Sequence, residues 1–429
     1  MELALGYKQT EAGVIPQSWN VTTIGDEFSI QLGKMLDAEK NVGVPKPYLG
    51  NRAVQWGQID LSDIGFIKLT SSDLQRFRLR EGDLLVCEGG EIGRAAIWRQ
   101  PIEECYYQKA LHRLRPLHGY NVKLMLYVLQ RFSSTGLLLN FVTQTSIAHL
   151  PKDKFATIPI PLPPTKAEQE AIAEALSDAD ALIESLEELI VKKRHLKQGA
   201  MQELLTGKRR LPGFEAGGDY YQTEAGIIPA DWATKRLGEL FEITSSKRVF
   251  QSEWKSEGIP FYRARELAVL GEKGHVENDL FISKEMYDSF KNTYGVPEAG
   301  DMLVTGVGTL GKTYVVSDDR AFYFKDGNII WFKVRGKVRS EFLQQLFLTR
   351  VIIKQIDDAS AGTTVGTYTI TGAKKTTIPF PSLAEQEAIT AVLSDMDKEI
   401  ATLEAKLAKA RQLKQGMMQE LLTGRTRLI

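Results

Sequence analysis

The chain has 429 residues, of which 43% are hydrophobic and 25% are charged, and its formal net charge is +0. This composition is ordinary for a globular protein, and because no run of about 18 apolar residues occurs, no membrane span is expected. The N-terminus lacks the basic and apolar regions of a signal peptide, and the two cysteines, Cys87 and Cys105, indicate a reduced, cytoplasmic protein. The neutral sum argues only weakly against nucleic acid as a partner, because the distribution of charge matters more than its total.

Three segments of the chain occur twice and in the same order. YKQTEAGVIP at 7–16 returns as YYQTEAGIIP at 220–229, AEQEAI at 167–172 returns at 384–389, and QELLTG at 202–207 returns at 419–424. A repeat of this length is the duplication of a whole domain with its trailing segment, not a solenoid. The middles of the two copies, roughly 50–155 and 263–375, are nearly unrelated. A shared frame with two different interiors predicts two modules that recognise different targets.

Each copy is predicted to begin with a strand-rich stretch. The β-branched and aromatic runs that indicate strands are Asp83–Cys87, Arg94–Trp98, Leu111–Leu114, Met302–Thr305, Thr313–Val316 and Asn328–Val334. Short helices are expected at Val122–Arg131 and Ser340–Lys354. Pro-rich segments at 158–164 and 378–381 end the two domains. The predicted α+β chain has four parts, namely a strand-rich domain at 1–161, a helix at 162–211, a second strand-rich domain at 212–381 and a second helix at 382–429.

The two predicted helices carry apolar residues that step alternately by four and three positions. The members of this seam are Ile172, Leu176, Ala179, Ile183, Leu186 and Ile190 in the first helix and Ile389, Leu393, Met396, Ile400, Leu403 and Leu407 in the second. Such spacing is typical of the a and d positions of a coiled coil. An amphipathic helix that lies on its own domain remains the alternative. Each helix ends at a Thr-Gly pair, where glycine favours a C-terminal cap.

Both helices are acidic in their first half and basic in their second half. An antiparallel arrangement places the acidic half of each helix beside the basic half of the other, whereas a parallel one would bring like charges together. Single exposed ion pairs contribute little, but their sum selects the orientation. The pattern predicts an intramolecular antiparallel coiled coil that separates the two strand-rich domains, with a pseudo-two-fold axis from the internal duplication.

Residues Gly306–Thr313 match the phosphate-loop pattern G-x-x-x-x-G-K-[ST]. A phosphate loop must open a helix, but a strand-like run follows here. In the first copy, Arg94 lies opposite Lys312 when Gly82-Asp83 is aligned with Gly300-Asp301, so the nucleotide pattern is broken while a glycine and a cation are kept. We therefore favour a Gly-rich hairpin turn that presents a basic side chain, and nucleotide hydrolysis at 306–313 remains an unfavoured alternative.

Three duplicated patterns in combination point to a known family. They are Thr-Glu-Ala-Gly-x-Ile-Pro-x-x-Trp at Thr10–Trp19 and Thr223–Trp232, Gly-Asp-(apolar)₃ followed by Gly and a cation at Gly82–Arg94 and Gly300–Lys312, and the exit that runs from Ile-Pro-x-Pro through Ala-Glu-Gln-Glu-Ala-Ile to Leu-Leu-Thr-Gly. Over essentially the whole chain they resemble the specificity subunit of type I restriction–modification enzymes.

The resemblance implies two target-recognition domains, each of which reads one half of a bipartite, asymmetric site in double-stranded DNA, and two helices that form an antiparallel spacer. It implies no catalysis and no cofactor in this chain. Its partners would be two modification subunits, which bind S-adenosylmethionine and methylate adenine, and two restriction subunits, which carry the motor and the nuclease.

Candidate DNA contacts are cations of the two strand-rich domains, since Arg and Lys bind phosphates and base edges. They are Arg52, Arg94, Lys109 and Arg113 in the first domain and Lys247, Arg248, Arg263, Arg265, Lys312 and Lys325 in the second. The chosen alignment pairs Gly50 with Arg263 and Arg52 with Arg265. Ordinary solvated surface cations are the alternative for each. For the whole chain, a methylation-only system and a scaffold that binds only protein also remain open.

Overall fold

The computed structural model describes residues 5–37, 41–62, 64–143, 148–215, 218–334, 336, 338–361 and 366–428. The chain folds into two compact units. Unit 1 consists of residues 1–188 and 404–429, and unit 2 consists of residues 189–403. Each of the two long helices therefore contributes one part to each unit. Within the described residues, no helix is both long enough and apolar enough to span a membrane.

The first copy of the repeat contains eleven strands and five helices within the described ranges. The strands are β1 Tyr7–Thr10, β2 Gly13–Pro16, β3 Asn20–Thr23, β4 Phe28–Leu32, β5 Val44–Leu49, β6 Gly65–Leu69, β7 Leu84–Cys87, β8 Ala95–Ile97, β9 Tyr106–Tyr107, β10 Leu111–Pro116 and β11 Pro159–Leu162. The helices are α1 Ile24–Glu27, α2 Ser71–Phe77, α3 Val122–Ser134, α4 Lys152–Ala156 and α5 Lys166–Leu204, with 3₁₀ turns at Asn51–Ala53 and Leu137–Phe141.

The second copy follows the same order with longer insertions. Its strands are β12 Tyr220–Thr223, β13 Gly226–Pro229, β14 Ala233–Arg236, β15 Glu242–Thr244, β16 Ile259–Tyr262, β17 Phe281–Ile282, β18 Met302–Thr305, β19 Thr313–Val315, β20 Tyr323–Phe324, β21 Ile329–Lys333 and β22 Thr377–Phe380. Its helices are α6 Leu237–Leu240, α7 Ala264–Lys273, α8 Lys284–Tyr294, α9 Ser340–Phe347, α10 Arg350–Ser360, α11 Ile370–Lys375 and α12 Leu383–Leu421, with a 3₁₀ turn at Gln251–Glu253.

The sheets of the two units have the same topology. An antiparallel sheet of order β4-β10-β7-β8 in unit 1 corresponds to β15-β21-β18-β19 in unit 2. A second sheet, β6-β5-β9, corresponds to β17-β16-β20, and in both the last pair is parallel. The opening hairpins β1-β2 and β12-β13 turn at Gly13 and Gly226, whose φ angles of 101° and 100° favour glycine. The duplication seen in the sequence is therefore a duplication of fold.

Each unit packs parts of both long helices against its own core. Ile172 and Leu176 of α5 share the core of unit 1 with Leu421 of α12, and Leu204 of α5 shares the core of unit 2 with Leu393 of α12. Every predicted seam residue is buried or half-buried. The four-part division of the chain stays a prediction. Each long helix packs one end on the core of unit 1 and the other end on the core of unit 2.

Ion pairs between α5 and α12 follow an antiparallel order inside each unit. In unit 1, Asp180 pairs with Lys414 at 2.6 Å and Glu187 pairs with Arg411 at 2.5 Å. A later residue on α5 thus pairs with an earlier residue on α12. In unit 2, Lys193 pairs with Glu399 and Lys197 with Asp397, both at 2.6 Å. The basic half of one helix thus meets the acidic half of the other within each unit, as the charge pattern predicts.

A Trp-Glu-Arg cluster closes the end of the helix pair in each unit. In unit 2, the Trp232 indole donates to Glu385 at 3.0 Å, and the Arg210 guanidinium pairs with the same carboxylate at 2.5 Å. In unit 1, Trp19, Glu168 and Arg427 make the same set of contacts. Beyond the ends of the helices, the left-handed Gly207 and Gly424 donate their amides to the carbonyls of Leu204 and Leu421, which confirms the predicted caps.

One predicted helix is wrong in its extent. Residues 340–354 were expected to form a single helix, but α9 ends at Phe347 and α10 begins at Arg350. Thr349 has an extended backbone, and its hydroxyl donates to the carbonyl of Leu346 at 2.7 Å, which satisfies an acceptor at the end of α9. The other predicted strands and the helix at Val122–Arg131 are present to within a few residues.

His112 on β10 is buried in the core of unit 1 and is expected to make the stability of this unit depend on pH. Its Nε2 donates to the carbonyl of Leu150 at 2.8 Å, and its ring stacks on Phe155. Burial lowers the pKa of His112 to about 4. Because the unfolded chain binds the proton more readily, the stabilisation is complete above pH about 6.5 and is lost as pH falls towards 4, by about 3 kcal/mol in total.

The residue equivalent to His112 in unit 2 provides the control for this prediction. Val86 lies opposite His112 on the neighbouring strand, and the equivalent Val304 lies opposite Ile330. The substitution His112→Ile therefore gives unit 1 the residue that unit 2 has at this position. Urea denaturation between pH 4 and 7, followed by hydrogen exchange of β10 peptides, should show a steeper loss of stability for the wild type than for His112→Ile. If the free energy of unfolding falls equally steeply with pH in both proteins, His112 is not the cause of the pH dependence.

Candidate nucleic-acid interface

Three loops of unit 1 meet at the carboxyl ends of β5 and β7. The Gln108 amide donates to the carbonyl of Leu49 at 3.1 Å, and the Glu88 amide donates to Ala110 at 3.0 Å. The Asn51 side chain donates to the carbonyl of Gly89 at 2.9 Å. The loops 50–53, 88–94 and 108–110 therefore form one surface, which we call the unit 1 loop face.

Unit 2 builds the same arrangement from equivalent residues. The Lys325 amide donates to the carbonyl of Tyr262 at 2.9 Å, and the Gly306 amide donates to Asn328 at 2.8 Å. The loops 263–265, 306–312 and 325–328 form the unit 2 loop face. These bonds match the Gln108 and Glu88 bonds of unit 1 one for one. They support the alignment of Gly50 with Arg263 and of Arg52 with Arg265.

Residues Gly306–Thr313 form a hairpin turn between two strands. The Thr305 amide donates to Lys312 at 2.8 Å and the Gly311 amide donates to Thr305 at 2.9 Å, while strand β19 begins at Thr313. Gly311 has a φ of 73°. No helix follows whose N-terminal amides could hold a phosphate, so the prediction of a hairpin is confirmed and the segment lacks the form of a phosphate loop. Residues 88–94 have the same geometry, with the Cys87 amide bonded to Arg94 and the Gly93 amide bonded to Cys87.

The predicted cations of unit 1 have three different environments. Arg52 and Lys109 are exposed on the loop face. Arg94 lies beneath it, with Nη2 donating to the backbone carbonyl of Asn51 at 3.0 Å and Nη1 paired with Glu91 at 3.3 Å. Burial raises the pKa of the neighbouring Glu88, and the positive charge of Lys109 opposes that rise. The loop face thus presents two of the four predicted cations to solvent.

Arg113 requires a correction, because the structure buries it and leaves only 4% of it exposed. Its guanidinium lies over the Tyr107 ring, and its Nη2 donates to the Gln31 side chain at 2.9 Å. Burial lowers the pKa of Arg113, and the charge is held inside the domain. Arg113 therefore supports the packing of β10 on β4 and does not belong to the surface set.

The predicted cations of unit 2 lie at or near its loop face. Arg265 and Lys247 are exposed, and the Lys247 ammonium stands over the Tyr294 ring at 4.4 Å. Arg248 is also exposed and pairs with Asp326 at 2.9 Å, and Lys325 is half-buried. Hydrogen bonding to Glu266 raises the pKa of Arg263, which pairs with Glu266 at 2.7 Å.

Lys312 extends from the hairpin turn to helix α7. Its ammonium pairs with Glu272 at 2.7 Å, and this hydrogen bond lowers the pKa of the exposed Glu272 carboxyl. The Lys312 side chain is 42% exposed. Unlike Arg94, it is therefore directed to the surface.

Asn51 is a residue of the loop face that sequence reasoning missed. Its role depends on the carbonyl of Gly89, which is distant in sequence, and no local pattern marks the pair. Helix α7 was also missed, although the Glu266 carboxylate accepts from the backbone amide of Arg263 at its start, at 3.1 Å. An Arg-x-x-Glu pair is a weak signal for a helix start compared with the Ser or Thr that usually caps one.

The fold and the loop faces define a class of protein, namely an α+β chain with two copies of one recognition module. A family model described as "Type I restriction modification DNA specificity domain" matches residues 16–192 and 229–412. The chain belongs to this family.

Relatives match along nearly the whole chain. A putative type I restriction enzyme specificity subunit, MjaX, of Methanocaldococcus jannaschii is 24% identical over 98% of this chain and 97% of its own length. The MjaVIII specificity subunit of the same organism is 25% identical over 98% and 96%. The crystal structure of a type I restriction–modification S subunit from M. genitalium matches the fold with a TM-score of 0.56, at 17% identity over 98% of both chains.

Proposed function

We propose that this chain is the non-catalytic specificity subunit of a type I restriction–modification complex and that it recognises a bipartite, asymmetric DNA sequence. In this proposal each unit carries one target-recognition domain, and each domain reads one half of the target through its loop face. The family and its named specificity subunits support the class of protein. The two halves of the target are an inference from the two modules.

The observation that carries the proposal is one backbone frame with different side chains at equivalent positions of the loop faces. Gly50 is replaced by Arg263, Asn51 by Ala264 and Glu88 by Gly306, although the backbone hydrogen bonds are the same. Base edges in the major groove differ in their donors and acceptors, so different side chains on one frame select different bases. Two unlike half-sites follow from two unlike loop faces.

The cations at or near the loop faces would hold the phosphate backbone while other side chains read the bases. We retain as proposed DNA contacts Arg52 and Lys109 in unit 1 and Lys247, Arg248, Arg263, Arg265, Lys312 and Lys325 in unit 2. Arg248, Arg263 and Lys312 pair with carboxylates of the same unit, and acidic residues such as those in the first half of α5 offset the other cations. A neutral sum is therefore compatible with DNA binding.

We further propose that α5 and α12 act as an antiparallel coiled-coil spacer. The heptad seam and the order of the ion pairs inside each unit support this role. The repeated opening hairpins and helices would dock two modification subunits, because two equal partners need two equal surfaces. Two restriction subunits would then complete a nuclease, while adenine methylation and DNA cleavage take place on the partners.

The experiment is a map of methylated adenines in cells that carry the chain and its modification partner. Wild-type cells should show one two-part motif that disappears when the gene for this chain is deleted. Exchange of residues 24–158 for the corresponding segment of a relative should change one half of that motif and leave the other half intact. The matched exchange of residues 237–376 should change only the other half. A change of both halves, or of neither, by a single exchange would overturn the proposal.

A further inference from the structure

The two hairpin turns carry a cation at the same backbone position but use it differently. The carbonyl of Arg94 accepts from the Cys87 amide as the carbonyl of Lys312 accepts from the Thr305 amide, and in both turns the preceding glycine donates back to that strand residue. The Arg94 side chain is 15% exposed, compared with 42% for Lys312. Because the Arg94 side chain is largely buried and the equivalent Lys312 side chain is more exposed, the two side chains are expected to have different roles.

In unit 1, Arg94 holds the 3₁₀ turn Asn51–Ala53 against the hairpin. Nη2 donates to the backbone carbonyl of Asn51, and the Asn51 side chain in turn donates to the carbonyl of Gly89. Nη1 pairs with Glu91, whose other oxygen accepts from the Trp56 indole at 2.5 Å. The turn is therefore fixed on both sides by the hairpin, and Arg52 in the middle of that turn is left exposed.

In unit 2, the same position of the loop is stabilised in another way. Ala264 replaces Asn51 and has no side-chain donor, and the chain continues from it into the ten-residue helix α7. Helix hydrogen bonds and the Glu266 carboxylate, which accepts from both the backbone amide and the guanidinium of Arg263, hold the segment that carries Arg265. Lys312 contacts this segment through a partly exposed ion pair with Glu272, near the end of α7 opposite to Arg265.

We propose that Arg94 is a positioning residue, which sets the orientation of Arg52 towards DNA without touching DNA itself, whereas Lys312 contacts DNA directly. This inference rests on the proposed DNA-reading function of the loop faces. Two donors of a planar guanidinium make the Arg94 contacts, and a lysine cannot reproduce that geometry. A direct contact of Lys312 with a phosphate requires only a positive charge, which an arginine also supplies.

The test uses the complex of this chain with its modification partner and a duplex that carries the mapped methylation motif. Arg52→Met should weaken binding about tenfold or more, as expected for the loss of one charge-assisted contact with a phosphate. Arg94→Lys keeps the charge, yet it should weaken binding to a similar degree. Addition of Arg94→Lys to Arg52→Met should cause no further loss, because both changes remove the same contact. In unit 2, Lys312→Arg should bind like the wild type, and Lys312→Met should weaken binding independently of Arg265→Met.

Two outcomes would overturn the inference. Wild-type affinity of Arg94→Lys would show that its charge alone matters, and a further tenfold loss of affinity in the Arg52→Met background would show an independent DNA contact or a general defect. Thermal unfolding in parallel separates folding from positioning, since a purely structural role of Arg94 would lower affinity equally in both backgrounds. Asn51→Ala provides a second variant with the same expected pattern. Failure of the wild-type complex to prefer its motif would instead contradict the proposed function.

Discussion

Glu385→Ala is expected to lower the stability of unit 2 by about 3–5 kcal/mol, because it removes one partner of a buried ion pair. Arg210 and Glu385 are only 9% and 2% exposed, and the carboxylate also accepts the Trp232 indole hydrogen bond. Burial alone lowers the pKa of Arg210, but hydrogen bonds to Asp231 and Glu385 outweigh this effect and raise it. Without Glu385, a charged guanidinium stays buried with Asp231 as its remaining carboxylate partner among the described residues. Hydrogen exchange of peptides from β14 and β22 would measure the loss.

A matched control lies two residues further along the same helix. Glu387 pairs with Arg339, and both side chains are more than half exposed, so Glu387→Ala should cost less than about 1 kcal/mol. Glu168→Ala in unit 1 should fall between the two, because its partner Arg427 is partly exposed. Equal effects of Glu385→Ala and Glu387→Ala would show that burial of the pair does not matter.

The local parts of the fold were predictable from the sequence, and the long-range contacts were not. The helix seam from Ile172 to Ile190 depends on a spacing of three and four residues, which the sequence displays directly. The tryptophans of the repeated opening motif were recognised as a mark of the family. Their acceptors, Glu168 for Trp19 and Glu385 for Trp232, lie on helices about 150 residues later. No periodic pattern connects residues so far apart.

The candidate interface shows the same limit at single residues. Alignment of the two copies correctly placed Arg94 opposite Lys312, because the backbone turn is the same in both. It could not show that one side chain turns inwards and the other outwards, since Asn51, in a distant loop, and Glu272, on helix α7, decide this. Arg113 was predicted to contact DNA, but Gln31 and Tyr107 give it partners inside the domain.

Gly271→Ala is expected to lower the stability of unit 2 by about 1–3 kcal/mol and to weaken reading of the second half-site. Helix propensity alone predicts a gain in stability, because alanine is favoured over glycine inside a helix by about 0.5–1 kcal/mol. Gly271 lies in α7 directly against β19, and a Cβ there would overlap the carbonyl oxygen of Thr313. The helix must then move away from the strand. Since α7 carries Arg265 and Glu272, this movement would displace the proposed contacts of the unit 2 loop face.

Gly199→Ala is the matched control, because Gly199 lies on α5 within the same unit and nothing described outside its own helix would lie within 4 Å of an added Cβ. This change should raise the free energy of unfolding by up to about 1 kcal/mol and leave the methylation motif unchanged. Chemical denaturation with adenine-methylation mapping would measure both effects. If Gly271→Ala also stabilises the protein, α7 does not pack closely on β19 in solution. The helix would then be free to adjust, and the fixed position of Arg265 would have no structural basis.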